Sequence, residues 1–407
     1  VYGSNFKYIV MSSWSFDQIL SFGEKKISKR GNFMDVDAPR MLSLAMRQGT
    51  HDGLRDPHSI LIAESTARAL FGAANPLNRL IKLGNSDVRV TGVYEDLPFN
   101  SGFRELTFVA PWSLYAIVNS SVREAREEAK WDDNSFLIYA QIAEGVDFAS
   151  VNQRILKAQF NRVAEEDKKK YNPEIFLHPM RDWRLHSHWE NGVQTGGLIE
   201  YVWLFGLIGV FVLLLACINF MNLSTARSEK RAKEVGIRKS VGSLRGQLVG
   251  QFLCESLLVV GFALVVALLL VRVSLPWFNE VADKRMFVPW LSPGFWLACL
   301  GFSLLTGLVA GSYPALYLSS FQPVKVLKGT FRVGRFAALP RKVLVVVQFT
   351  VSIALISGTI IVYRQVQFSK NRPVGYDRNG LVMVGMKTED FHGKAELLRT
   401  ELRQSGA

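Results

Sequence analysis

The side chains able to do chemistry occur in this chain in patterns that stop short of a catalytic set. His186 and His188 have the H-x-H spacing of a ligand pair. Without a third ligand at a recognised spacing they read as a solvated loop. Gly329 to Gly334 has the glycine spacing of a phosphate loop, but Arg335 and Phe336 stand where Lys and Ser/Thr are required, and no strand precedes it. Cys217, Cys254 and Cys299 all fall in apolar stretches, which suits neither a disulfide framework nor a zinc site. Glu255 sits near the start of an apolar run, as an interfacial residue or a proton carrier. Asn219 and Asn222 either hydrogen-bond to another helix or mark the inner interface. No nucleophile, base and orienting group stand together. The chain therefore reads as non-catalytic, with no cofactor and no metal.

The elements that carry these residues divide the chain. Apolar residues make up 49% of it and crowd beyond Tyr201. Four runs have the roughly 20-residue length that a bilayer core requires: Tyr201 to Met221, Phe252 to Leu275, Phe295 to Leu318, and Val343 to Tyr363. Any one of them could be a buried core helix, but four in succession with short polar loops between them cannot reasonably be. Gly307 and Gly311 form a GxxxG in the third run, fit for close packing within the subunit or at a dimer seam, and Pro314 is expected to kink the end of that helix.

The net charge of +13 is explained by where it sits. Arg227, Lys230, Arg231, Lys233, Arg238, Lys239 and Arg245 follow the first span against Glu229 and Glu234. Lys325, Lys328, Arg332, Arg335, Arg341 and Lys342 follow the third with no acid among them. Between Pro276 and Pro293, Lys284 and Arg285 balance Glu280 and Asp283. The positive-inside rule places the segments 223–251 and 319–342 in the cytoplasm and 1–199 outside. The charge is topological, and nucleic-acid binding is not needed to explain it.

Residues 1–199 read as an α+β extracytoplasmic domain. Ser59 to Ala63 is a short apolar strand, followed by a helix from Ser65 that stops at Gly72. Val88 to Tyr94 and Phe136 to Ile142 are further strands, and Asp147 can cap a helix on which Phe148, Val151, Ile155 and Phe160 broadly keep helical spacing. The alternation suggests split βαβ units.

Several motifs then carry a resemblance. Ala69-Leu70-Phe71-Gly72, Asn75-Pro76-Leu77, Val90-Thr91-Gly92-Val93 and Asp96-Leu97-Pro98-Phe99-Asn100-Ser101 resemble the periplasmic core domain of MacB-type permeases. Ala216 to Arg227, Arg231 to Lys239, then Gly242, are similar to the FtsX-like permease signature. Gly311 to Tyr317, Pro323-Val324 and Leu327-Lys328-Gly329 fit the same family's third span and exit. The resemblance implies an α-helical multi-pass inner-membrane permease, with domains at 1–199, 200–342 and 343–407, the last opening a second half. Family members begin with a cytoplasmic stub and a transmembrane helix, which do not precede Val1, so the chain is expected to be truncated at both ends.

The implied partners are a separate ABC ATPase on the cytoplasmic side, a second permease copy or pseudo-dimeric half, a periplasmic adaptor and the lipid bilayer. The implied role is coupling ATP hydrolysis to movement of the outer domain, for efflux or release of substrate. Arg231, Lys233, Glu234, Val235, Gly236, Ile237, Arg238 and Lys239 become the coupling helix that docks on the ATPase, with Val235, Gly236 and Ile237 offering it close apolar contact. A plain Glu234–Arg238 intrahelical pair is the blander reading. A membrane receptor that signals inward is the alternative from another class, and would need a cytoplasmic output domain.

Overall fold

The computed structural model describes residues 3–127, 135–226, 228–320, 335–373, 375–377, 380–383 and 393–405. The chain forms two compact units, one of residues 1–184 with 380–407 and the other of residues 185–379.

In the first unit one mixed sheet is built from β1 (Phe6–Ser12), β2 (Phe16–Phe22), β3 (Lys25–Met34), β4 (Met46–Gly49), β5 (Ser59–Ala63), β6 (Leu80–Leu83), β7 (Ser86–Tyr94), β8 (Phe108–Pro111) and β9 (Leu137–Ile142). Short helices punctuate it: α1 (Ala38–Met41), α2 (Glu64–Phe71), α3 (Trp112–Val118), α4 (Ser120–Glu127), α5 (Phe148–Ile155) and α6 (Glu165–Tyr171). The spatial order is β2-β6-β7-β5-β8-β3-β1-β9, and β2 pairs with β3 as well as with β6, so six strands close on themselves. β3 is long enough to do this because Lys25–Gly31 pair with β2 while Asn32–Met34 pair with β8. Gly31 stands at the changeover, where a Cβ would collide with the carbonyl and ring of Phe108.

The two faces of this sheet carry separate cores. Leu20, Phe33, Ile60, Ile62, Val88, Val90 and Phe108 pack in one with Leu70 and Phe71 of α2. Leu61, Ala63, Val10, Met34, Tyr94 and Val109 pack in the other. β5 is therefore buried on both sides, which is why it reads as an unbroken apolar run. β5 and β7 are parallel and adjacent, joined through α2 and β6. β8 and β9 also run parallel, joined through α3 and α4, and β3 and β1 lie between them, the split arrangement expected from the alternation.

Local signals were followed closely. α2 stops at Gly72, which takes φ +64°. The Asp147 carboxylate accepts from Ser150 N at 2.9 Å and caps α5. That helix ends at Ile155, so Phe160 lies beyond it, with Lys157 Nζ 5.0 Å from the ring centroid.

The second unit begins with a hairpin of β10 (His188–Glu190) and β11 (Val193–Gly196). It continues through α7 (Ile199–Ala226), α8 (Ser228–Ser240), α9 (Arg245–Ala282), α10 (Pro293–Ser319) and α11 (Arg335–Asn371), while α12 (Ala395–Gln404) follows in the chain as part of the first unit. α7, α9, α10 and α11 are each long and apolar enough to cross a membrane, and 0–17% of each apolar window is buried inside the protein. Such apolar exposure suits a hydrocarbon solvent, in which α-helices satisfy their own backbone.

The helices outrun the apolar runs. α9 has 38 residues, a length of about 57 Å at the α-helical rise. It continues through Pro276, where the sequence placed a loop, and stops where Asp283 takes φ +47°. A helical proline forfeits one backbone bond, which water can replace at a membrane surface. α10 likewise runs past Pro314 to Ser319. At its start Trp290, Phe295 and Trp296 cluster, and Trp296 Nε1 donates to Trp290 O at 2.8 Å, an interfacial aromatic belt.

Candidate coupling site

α8 is short and bounded by two spans, α7 before it and α9 after it. It ends because Gly242 takes φ +104°, and α9 starts where Gln247 Oε1 accepts from Leu244 N at 3.0 Å. The helix has two faces of different character.

The inner face is locked to the membrane helices. Val235, 2% exposed, packs with Leu248 and Phe252 of α9 and with Ala315 and Leu318 of α10. Lys239 Nζ donates to Ser319 O at 2.6 Å, and Arg245 Nε reaches Ser319 Oγ at 3.4 Å. Both cations thus sit at the C-terminal end of α10, where helix carbonyls lack intrahelical donors and carry partial negative charge.

The outer face is more exposed. Glu234 and Arg238 pair across one turn at 2.7 Å with both side chains about half exposed, a contact worth a few tenths of a kcal/mol. Ile237, Val241 and Leu244 are 53%, 83% and 69% exposed. Arg238 also donates to Gln251, whose amide donates to Glu255 at 3.3 Å. A polar line therefore runs from α8 into the second span.

This arrangement corrects the sequence reading in two places. Val235 and Gly236 are buried within the subunit and do not belong to an accessible apolar surface. At 3.6 residues per turn, Val235 and Lys239 share one face while Glu234, Ile237 and Arg238 share another. The reading also passed over Val241 and Leu244, although two apolar residues in a short polar turn were a signal. Arg231 and Lys233 lie in the first half of α8, and their side chains are outside the described residues, as is the segment 321–334 with Lys325, Lys328 and Gly329 to Gly334.

Gly307 and Gly311 face α9. A Cβ at Gly307 would stand 2.5 Å from Leu257 Cδ2, and one at Gly311 2.7 Å from Ser256 Oγ. Pro314 is buried on the same side of α10. This glycine face is therefore used inside the subunit. Asn222 is buried and Asn219 exposed on α7. His188 Nδ1 lies 3.0 Å from Thr195 Oγ1 across the hairpin, and His186 O accepts from Gln194 at 2.7 Å. All three cysteines are free.

Comparison with known proteins agrees with the two-part plan. Residues 206–323 match the FtsX-like permease C-terminal family, and residues 5–158 match the MacB-like periplasmic core domain. The macrolide export ATP-binding/permease protein MacB of Salmonella paratyphi A is 25% identical over 319 residues, 76% of this chain and 44% of that protein. Its namesake in Bdellovibrio bacteriovorus is 26% identical over 279 residues, 66% of this chain and 38% of the relative. The chain thus spans less than half the length of the curated relatives it matches. The solved periplasmic region of MacB from Actinobacillus actinomycetemcomitans is 18% identical, covering 39% of this chain and 69% of that one with a TM-score of 0.30, a likeness too distant to carry an argument.

Proposed function

The chain belongs to the FtsX-like ABC permeases with a MacB-like periplasmic core domain, a multi-pass inner-membrane protein whose core domain lies outside, and from that premise we propose that it couples a cytoplasmic ATPase to movement of that domain. In this reading a separate ATPase subunit docks on the outer face of α8, and its stroke drives efflux or release of a substrate. The permease works as a pair, either two copies or a copy and a second half, and a periplasmic adaptor receives what is expelled. The relatives' names join ATP binding to permease activity and to macrolide export, which makes an amphiphilic cargo reasonable here too.

One observation carries the proposal, namely the two-faced character of α8. Its inner side is keyed to α9 and α10 through Val235 and Lys239, while its outer side offers Glu234, Ile237 and Arg238 to a partner, with Val241 and Leu244 exposed in the turn that follows. A push on the outer side is therefore transmitted to two membrane helices without an intervening flexible link. Exposed aliphatics beside an ion pair are the mixture that suits a docking surface.

The test uses Ile237→Asp with Val241→Asp, which alter the exposed face alone, against Val235→Ala, which loosens the inner keying. At equal membrane expression the double variant should lose co-purification of the ATPase. Val235→Ala should keep the complex but lose permease-stimulated hydrolysis. Unchanged co-purification and stimulation in both would show that α8 is not the coupling element.

A further inference from the structure

The second span does not stop where the third one starts. Gly307 and Gly311 of α10 face Leu257 and Ser256 of α9, so the two helices run antiparallel, and that register sets Pro293 about level with Arg272. α9 then overruns α10 by residues 273–282, about 15 Å of helix. The chain returns to α10 through an uncharged segment, Met286 to Ser292. Asn279 holds one end of it, its Nδ2 donating to Met286 O at 2.8 Å and its Oδ1 accepting from Met286 N at 2.9 Å. Near the other end the Trp290 ring lies 6.0 Å from that of Trp296 in the first turn of α10. In this held segment Phe287 is 79% exposed and Leu291 98%.

We propose that the outer end of α9 and this return segment form a wedge in the outer leaflet of the bilayer, with Trp277, Phe287 and Leu291 among the lipid chains beneath the headgroups. Continuity identifies the occupant. Phe262, Val266, Leu269, Val273 and Trp277 form one exposed apolar stripe at helical spacing. That stripe is lipid-facing within the span and crosses the level of Pro293 unbroken. It ends at Glu280, an exposed carboxylate on the same side of the helix.

The lengths agree with this placement. Glu255 and Glu280 stand 25 residues apart, about 37 Å along the helix, within the roughly 40–45 Å of a bilayer with its headgroups. Arg272 is the one charge between them. It is exposed, has no protein partner among the described residues, and is long enough to snorkel outward to the phosphates. Trp277, Trp290 and Trp296 gather at the same end of the helices, and indole rings favour the lipid–water boundary. An apolar surface left in water would instead call for a protein cover. The assignment rests on the membrane placement of these spans and not on the role given to α8.

The test places the full chain in nanodiscs of phosphatidylethanolamine and phosphatidylglycerol, with photoreactive benzoylphenylalanine in place of one residue at a time. Phe287 and Leu291 are the test positions, Leu269 in the span is the lipid control, and Glu24 in the β2–β3 turn is the aqueous control. All four side chains are exposed, so the replacements leave the packing of α9 on α10 intact. After illumination, mass spectrometry should find phospholipid adducts at Phe287 and Leu291 in yields close to that at Leu269. Those yields should stand about tenfold above that at Glu24. Fragmentation should place the adducts on acyl chains. Yields at both positions no higher than at Glu24 overturn the proposal, as do adducts confined to headgroups. Crosslinks between two copies of the chain in place of lipid adducts also overturn it, and assign the surface to a protein seam.

Discussion

Adding one methyl group at Gly311 tests the packing that holds the second and third spans together. A Cβ there would lie 2.7 Å from Ser256 Oγ, 2.8 Å from Ser256 Cβ and 3.2 Å from Leu253 Cδ2. Carbon atoms rest at about 3.5–4.0 Å, so the helices must part by roughly 1 Å or Ser256 must turn. Turning is hindered, because Ser256 Oγ donates to Phe252 O at 2.9 Å and its Cβ is fixed to the α9 backbone. Overpacking of this kind costs about 1–3 kcal/mol, while Gly→Ala inside a helix returns up to about 1 kcal/mol. Gly311→Ala should therefore destabilise by about 1–2 kcal/mol. Gly307→Ala provides the contrast, because its nearest contact is the Leu257 methyl at 2.5 Å, the far end of a side chain that can rotate away. The loss there should roughly cancel the helical gain. Reversible unfolding in bicelles measures all of these, with Ser256→Gly alone and combined with Gly311→Ala completing the cycle. Ser256→Gly should rescue most of the Gly311→Ala loss. If Gly311→Ala proves no worse than Gly307→Ala, or if Ser256→Gly rescues nothing, α10 does not pack on α9 through this face.

Two further outcomes concern the outer domain. Tyr94→Phe removes the hydroxyl that donates to Leu106 O at 2.9 Å in a fully buried site, so urea unfolding should show a loss of about 1–3 kcal/mol. Burial, then Asp96, also holds the Tyr94 phenol well above its ordinary range. The wild type should lose stability as pH rises past about 10, where the unfolded tyrosine ionises first, and Tyr94→Phe should flatten that limb. Asp52 bridges Arg40 and Arg55 at 2.6 Å each, and the hydrogen bond from Arg40, opposed in part by desolvation, holds its carboxyl below the usual range. Its contribution is present above the unfolded value of about 3.9 and is lost as pH falls through the folded value. Asp52→Asn should therefore flatten the acid limb of a thermal-stability profile, and an unchanged profile would show that the cluster does not stabilise the fold.

Much of the plan was legible from local chemistry. Four apolar runs, charged only at Glu255 and Arg272 near the ends of the second, declare a hydrocarbon solvent because a single charge at the bilayer centre costs about 3 kcal/mol. The Asp147 cap, the Gly72 stop and the two-sided burial of β5 were legible because each depends on one residue and its immediate neighbours. The helix lengths were less so. The continuation of α9 past Pro276 depends on a surface where water can serve the freed carbonyl, and hydropathy does not encode that.

The candidate site divides along the same line. Sequence alone determined that a short basic helix lies between two spans and faces the cytoplasm, because charge asymmetry is a property of composition. Tertiary structure decided which side of that helix is accessible. Val235 turns inward because Phe252, Ala315 and Leu318 leave a hole for it, and Lys239 is engaged because Ser319, 80 residues away, presents its carbonyl there. The closure of the sheet by β2 on β6 is decided in the same way. Contacts at such separations leave no local signature, because they arise from where whole helices and strands settle once their own apolar faces are buried.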